Sequence, residues 1–260
     1  MTLTVADYRA VLQRAGTELI AAAEAVGPGT PVPTCPGWTV RDLVAHLAMV
    51  HAWATAYVRG GHPTGSGETA GRHDPQLFDR YRRGLAALLA AVRDAPEDLD
   101  APRFLADPPP ARVFWARRQA HETVIHGVDA RAALLGRAPA AAETRLPRAV
   151  ALDGVDELLR GFLPRTRTRL RSDEPYTVTF RAADPATDSD TADTHADAWT
   201  VHVSSEPVVT VPGGDPTADT VITGSPVALY LGLWNRGDEL SETGRPGVLA
   251  QWRAQQRIGW

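Results

Sequence analysis

Apolar residues recur every three or four positions through most of the first 160 residues, and every second position after that. Over residues 5–27, Tyr8, Leu12, Ala15, Leu19 and Ala22 keep the helical step, and Gly27-Pro28-Gly29 ends it. A second helix begins at Trp38-Thr39-Val40-Arg41-Asp42-Leu43. Thr39 is placed to cap its free amides, Asp42 to reach back, and Trp38 to pack on Leu43 as a hydrophobic staple. This helix runs to about Arg59, where Gly60-Gly61 closes it, and the polar stretch 61–73 reads as a loop. A third helix spans 74–94, with Phe78, Tyr81, Leu85, Leu88, Leu89 and Val92 on one face. A proline-rich connection leads to a fourth helix, 111–135, that stops at Gly136. A shorter amphipathic helix, 147–162, ends at Pro164. Long helices joined by loops predict an antiparallel bundle of four, with one extra helix.

Past Pro164 the period is two. Residues 176–180, 198–203, 208–211 and 220–222 alternate as half-buried strands, and two helices follow, 226–235 and 246–256. Residues 182–197, rich in Asp, Thr and Ala, read as a solvated hairpin loop. The expected organisation is thus a helical bundle over 1–164 and a small α+β domain with an antiparallel sheet over 165–260.

Composition narrows the function classes. The chain has 260 residues, 43% hydrophobic and 22% charged, as in an ordinary globular protein. A net charge of −4 argues against nucleic acid or an anionic membrane as the partner. All 27 basic residues are Arg, which removes any lysine base or Schiff-base chemistry. Cys35 is the only cysteine, so no intrachain disulfide forms. Neither a signal-like N-terminus nor a long apolar run is present, so a cytoplasmic location is expected, and the lack of an exposed apolar heptad favours a monomer.

The chemistry concentrates in the fourth helix, at His121-Glu122-Thr-Val-Ile-His126-Gly-Val-Asp129. His121 and His126 are five residues apart and point about 140° away from each other, so they cannot share an ion. Glu122 and His126 are four apart, about 40° off, one turn above the other. A carboxylate and an imidazole stacked this way can chelate a metal, and a third ligand should come from a facing helix. His46, central in the apolar stretch Leu43-Val-Ala-His46-Leu47, is the best candidate, because a buried imidazole needs a partner. Two imidazoles and one carboxylate with an open position suit a catalytic Zn²⁺, with Fe²⁺, Ni²⁺ or Mn²⁺ as alternatives. Arg118, four before Glu122, is either a simple ion pair or a group that orients the carboxylate or binds an anionic substrate. Asp129, three after His126, is either an outer partner of a ligand or a helix-terminal acid. Cys35 has no base near it in sequence and reads as a small buried thiol. His51 points away from His46, and His62, His73 and His195 have no ligand-like spacing.

Cys35-Pro-Gly-Trp-Thr-Val-Arg-Asp-Leu-Val-Ala-His46-Leu, followed by Arg118-x-x-x-Glu122-x-x-x-His126-x-x-Asp129, resembles the mycothiol-dependent maleylpyruvate isomerase family. The resemblance covers nearly the whole chain. It implies a DinB-like metal-binding bundle followed by a sterol-carrier-like α+β domain. It implies zinc held by His46, Glu122 and His126, and mycothiol as thiol cofactor at the open position. A C-terminal-domain arginine would assist catalysis, and Arg236, in Leu231-Gly-Leu-Trp-Asn-Arg236, is the nearest match; a plain helix-end arginine is the competing reading. The implied reaction adds the thiol to an activated cis-alkene, rotates about the new single bond and eliminates the trans isomer. Two other functions remain open: a metal-dependent S-transferase that releases the thiol adduct, and a non-catalytic metal- or ligand-binding module.

Overall fold

A computed structural model describes residues 2–62, 74–183 and 197–255. Most of the two expected polar loops, together with His73 and His195, lies outside these described residues. The chain divides into two compact units, one of residues 1–104 and 108–139, the other of residues 105–107 and 140–260.

The first unit is a four-helix bundle of α1 (Val5–Val26), α2 (Val40–Val58), α3 (Leu77–Asp94) and α4 (Ala111–Leu135). Each helix packs mainly on two others: α1 on α4 and α3, and α2 on α3 and α4. Both leading helices carry capping devices at their N-termini. Asp7 accepts from the backbone and hydroxyl of Thr4, whose own Oγ1 takes the Asp7 amide. Asp42 accepts from the Thr39 amide at 2.9 Å and from its hydroxyl at 2.7 Å. Between α1 and α2 the chain folds back on itself: the Val32 amide donates to the Trp38 carbonyl at 2.9 Å, and Pro31 bridges Thr39. Gly37, at φ 87°, makes the return possible, since that conformation strains any side-chain-bearing residue. Buried α4 is apolar or small on most sides, yet it also buries Arg118, Gln119, His121, Glu122, His126 and Asp129.

The second unit holds α5 (Arg148–Asp156), continued as one wide π-helical stretch over Glu157–Phe162. Then come β1 (Tyr176–Ala182), β2 (Ala198–Val203), β3 (Val209–Pro212), β4 (Thr220–Gly224), α6 (Pro226–Leu233), β5 (Ser241–Gly244) and α7 (Val248–Gln255). The helix expected to extend the bundle belongs here instead, because its partners are here: α5 packs on α6, and the Asp156 carboxylate accepts from the Trp199 indole at 3.1 Å. In the two-unit division residues 140–164 go with the sheet.

The five-stranded sheet has the order β3-β2-β1-β4-β5 and is mixed rather than antiparallel, since β1 pairs with β4 in parallel. Threonines inside the strands make this crossover possible. The link from β3 to β4 crosses the sheet where the Asp215 amide donates to the hydroxyls of Thr179 and Thr200, and the Asp219 amide to that of Thr177. Its backbone is thereby satisfied while it covers one face. Tyr176, Val178 and Phe180 point to the other face, where Phe180 meets the α7 ring of Trp252 at 5.2 Å. β5 was not expected, because Ser241-Glu-Thr-Gly244 carries no apolar alternation. No helix among the described residues is long and apolar enough to cross a membrane.

Candidate metal centre

α2 and α4 run antiparallel, since His46 meets Glu122 and His126 while Trp53 and Tyr57, further along α2, meet Trp115 at 5.0 and 5.3 Å. This brings together the three residues selected from the sequence. Nε2 of His46 lies 3.2 Å from Oε1 of Glu122, and Nε2 of His126 lies 3.3 Å from the same oxygen. One ligand atom from each residue lies within 4.8 Å of the other two. Bonds of about 2.05 Å at tetrahedral angles would space zinc ligands about 3.3 Å apart, so two of the three separations already fit one ion. All three side chains are buried.

The other atoms of these side chains are held in place. Oε2 of Glu122 accepts from Nη2 of Arg118 at 3.1 Å, and Arg118 is fully buried. With Oε2 in this ion pair, Oε1 is the oxygen that faces the histidines. Nδ1 of His126 lies 2.8 Å from Oδ2 of Asp129. Asp129 also accepts from the Thr34 hydroxyl at 2.6 Å and from the Cys35 thiol at 3.2 Å. Its carboxylate thus touches Thr34, Cys35 and His126 together. Trp38 covers the pair of imidazoles, 5.2 Å from the His46 ring and 6.1 Å from the His126 ring, nearly parallel to the latter.

These contacts create an electrostatic demand. A carboxylate only accepts, so Asp129 fixes the His126 proton on Nδ1 and leaves a lone pair on Nε2. That lone pair faces the Glu122 oxygen, and a positive charge between them resolves the conflict. In the metal-free chain a proton can supply it. Burial opposes protonation of His126, yet its hydrogen bonds to Asp129 and Glu122, with their negative charges, raise its pKa from 6.5 to about 9. Burial likewise opposes ionisation of Glu122, but hydrogen bonds from His126 and His46 and the charge of Arg118 hold it well below its ordinary value. A divalent cation would meet the same demand, and the donor set fits one. Cys35, His126 and Asp129 form a second group of suitable atoms. Its carboxylate is already satisfied by three donors, so the first group is the better candidate.

The remaining histidines are elsewhere. His121 is buried and meets the Tyr8 ring edge-on at 6.4 Å. His51 is buried between helices, with Nε2 2.9 Å from the Thr123 hydroxyl and its ring beside Tyr81. Arg236 lies in the second unit, just past α6, where Nη1 donates to the Trp234 carbonyl at 2.7 Å. That bond is the one expected of a helix-end arginine. Sequence reasoning gave Thr34, Cys35 and Trp38 no part in the site. Cys35 is half-buried, and its carboxylate partner lies 94 residues away, beyond any local spacing rule.

Residues 9–131 match the family model described as the mycothiol maleylpyruvate isomerase N-terminal domain, and residues 149–254 match the MDMPI C-terminal domain. The chain belongs to this family. Two solved structures share the fold. One is a mycothiol-dependent maleylpyruvate isomerase, with TM-score 0.60 at 16% identity, covering 94% of this chain and 96% of that one. The other is a His-to-Ala mutant of a mycothiol-dependent maleylpyruvate isomerase, with TM-score 0.61 at 14% identity and the same coverage. No curated protein matches the chain. At these identities the likeness establishes the architecture of the family and leaves the activity to the site.

Proposed function

We propose that this chain is a cytoplasmic metal-dependent enzyme that uses mycothiol to isomerise a cis-alkene bearing a carboxylate, as in maleylpyruvate isomerisation. The observation that carries the reading is the convergence of His46, Glu122 and His126 on one buried point, with Arg118 and Asp129 fixing the outward atoms of two of them. Zinc at that point would act as a Lewis acid that lowers the pKa of a thiol at its open position. The chain's own residues do the rest. Glu122 and the two imidazoles would hold the ion, Asp129 fixes the His126 tautomer by accepting from Nδ1 so that Nε2 is the nitrogen offered to the ion, and Trp38 covers one side. Arg236 is proposed to bind the substrate carboxylate. The absence of a lysine and of a cysteine among the three ligands agrees with a nucleophile that arrives on a cofactor.

The test has two parts. Metal analysis of purified protein should give one zinc per chain, falling below about a tenth in His46→Ala, as expected when one of three ligands is lost. If His46→Ala keeps one ion per chain, the site is misassigned. Mass spectrometry of the products from mycothiol and maleylpyruvate should show an isomer of unchanged mass. A stable conjugate would instead make the protein an S-transferase, and no product at all with metal bound would leave a binding module.

A further inference from the structure

Gln119 is fully buried, and neither the nitrogen nor the oxygen of its amide has a hydrogen-bond partner among the described residues. The same holds for the indole Nε1 of Trp115, also fully buried. Unpaired buried amides are costly, and a leucine of similar volume would make a more stable helix packing there. The positions of the two residues give the reason for keeping them. At 100° per residue, Trp115, Gln119, Glu122 and His126 fall within about 60° on one stripe of α4. One end of that stripe meets His46 of α2, and the other meets the α2 rings of Trp53 and Tyr57. Gln119 therefore sits at the level between the metal ligands and this aromatic cluster, about 4.5 Å along the axis from Glu122. Trp53 and Tyr57, on the α2 side of this level, are only half-buried.

We infer that Gln119 and Trp115 form a subsite for a neutral hydrogen-bonding group, an amide or a hydroxyl, on the molecule that occupies the open metal position or on its electrophile. The amide offers a donor and an acceptor side by side, and the indole adds a second donor. A carboxylate is disfavoured, because the nearest cation on the helix, Arg118, is engaged with Glu122. The aromatic rings would pack against the apolar remainder of the same molecule. This inference rests on the proposed thiol-dependent reaction and deepens it: Gln119 sets which thiol or which electrophile is accepted.

Gln119→Leu and Trp115→Phe test it in zinc-loaded full-length protein. Gln119→Leu should raise the apo-protein Tm by about 2–6 °C, since an unpaired amide disappears. Zinc should stay at one per chain in both variants. Calorimetric titration with mycothiol should then show a Kd about 5–30-fold weaker if the subsite serves the thiol. If it serves the electrophile, the thiol Kd is unchanged and the KM for maleylpyruvate at saturating mycothiol rises by a similar factor. A lower Tm in Gln119→Leu, or an unchanged Kd together with an unchanged KM in both variants, overturns the inference alone. Zinc-loaded wild-type protein that does not bind mycothiol overturns the thiol reading and this inference with it.

Discussion

Glu122 divides its oxygens between two tasks, Oε2 for Arg118 and Oε1 for the histidines, and His126 divides its nitrogens between Asp129 and the centre. Much of this was readable from spacing. The i,i+4 relation of Glu122 and His126 follows from helix geometry, and a histidine amid the apolar residues of α2 announces itself by its cost. The Asp129 partners were not readable, because Thr34 and Cys35 reach it from 95 and 94 residues away through a loop whose path no periodicity encodes. Asp129→Asn should weaken zinc binding by about 10–100-fold, measured by competition with a chromophoric chelator, while the fold persists. His51 makes a different prediction. Burial, the largest influence, lowers its pKa to about 3, so it stays neutral in the folded chain and charges only on unfolding. Below the unfolded value of 6.5 the unfolded state therefore binds more protons, and stability falls as pH falls toward 3. Urea titrations should show about 1 kcal/mol lost between pH 6 and pH 5 from this residue, and His51→Gln should flatten that slope. An unchanged slope would mean that His51 is not the group responsible.

Elements were more legible than their pairings. The helices of the bundle and four of the five strands lie close to where hydrophobic period placed them. Strand direction does not follow from alternation, and the parallel β1–β4 pair depends on threonine hydroxyls receiving a crossing link, which the same threonines in an antiparallel sheet would not reveal. The start of α2 matters most for the site, because the segment that enters it carries Trp38 and the first turns carry His46. Asp42→Ala removes both acceptor contacts to Thr39. It should cost about 1 kcal/mol by chemical denaturation, and zinc affinity should drop modestly as the loop end loosens. Loss of stability without any change in zinc affinity would separate the cap from the centre.

Across the whole molecule, the candidate metal ligands all belong to the first unit. Amphipathicity says that a helix buries one face without saying against which core. Each unit has its own buried core, so zinc should stabilise the first unit selectively. With free zinc at a thousand times Kd, the gain is about 4 kcal/mol, reversed by chelator. Scanning calorimetry should show one transition moving with zinc while the other stays. If both move equally, the units unfold together.

Trp38 gives the protein its own optical gauge. An indole nearly parallel to the His126 ring, with His46 closer still, experiences any change of charge on those rings as a change of local field. Its emission should shift in colour or brightness as the centre fills and empties, and Trp38→Phe should abolish that response while leaving the remaining tryptophans as an internal baseline. A fluorimeter alone could then follow loading and thiol arrival in real time.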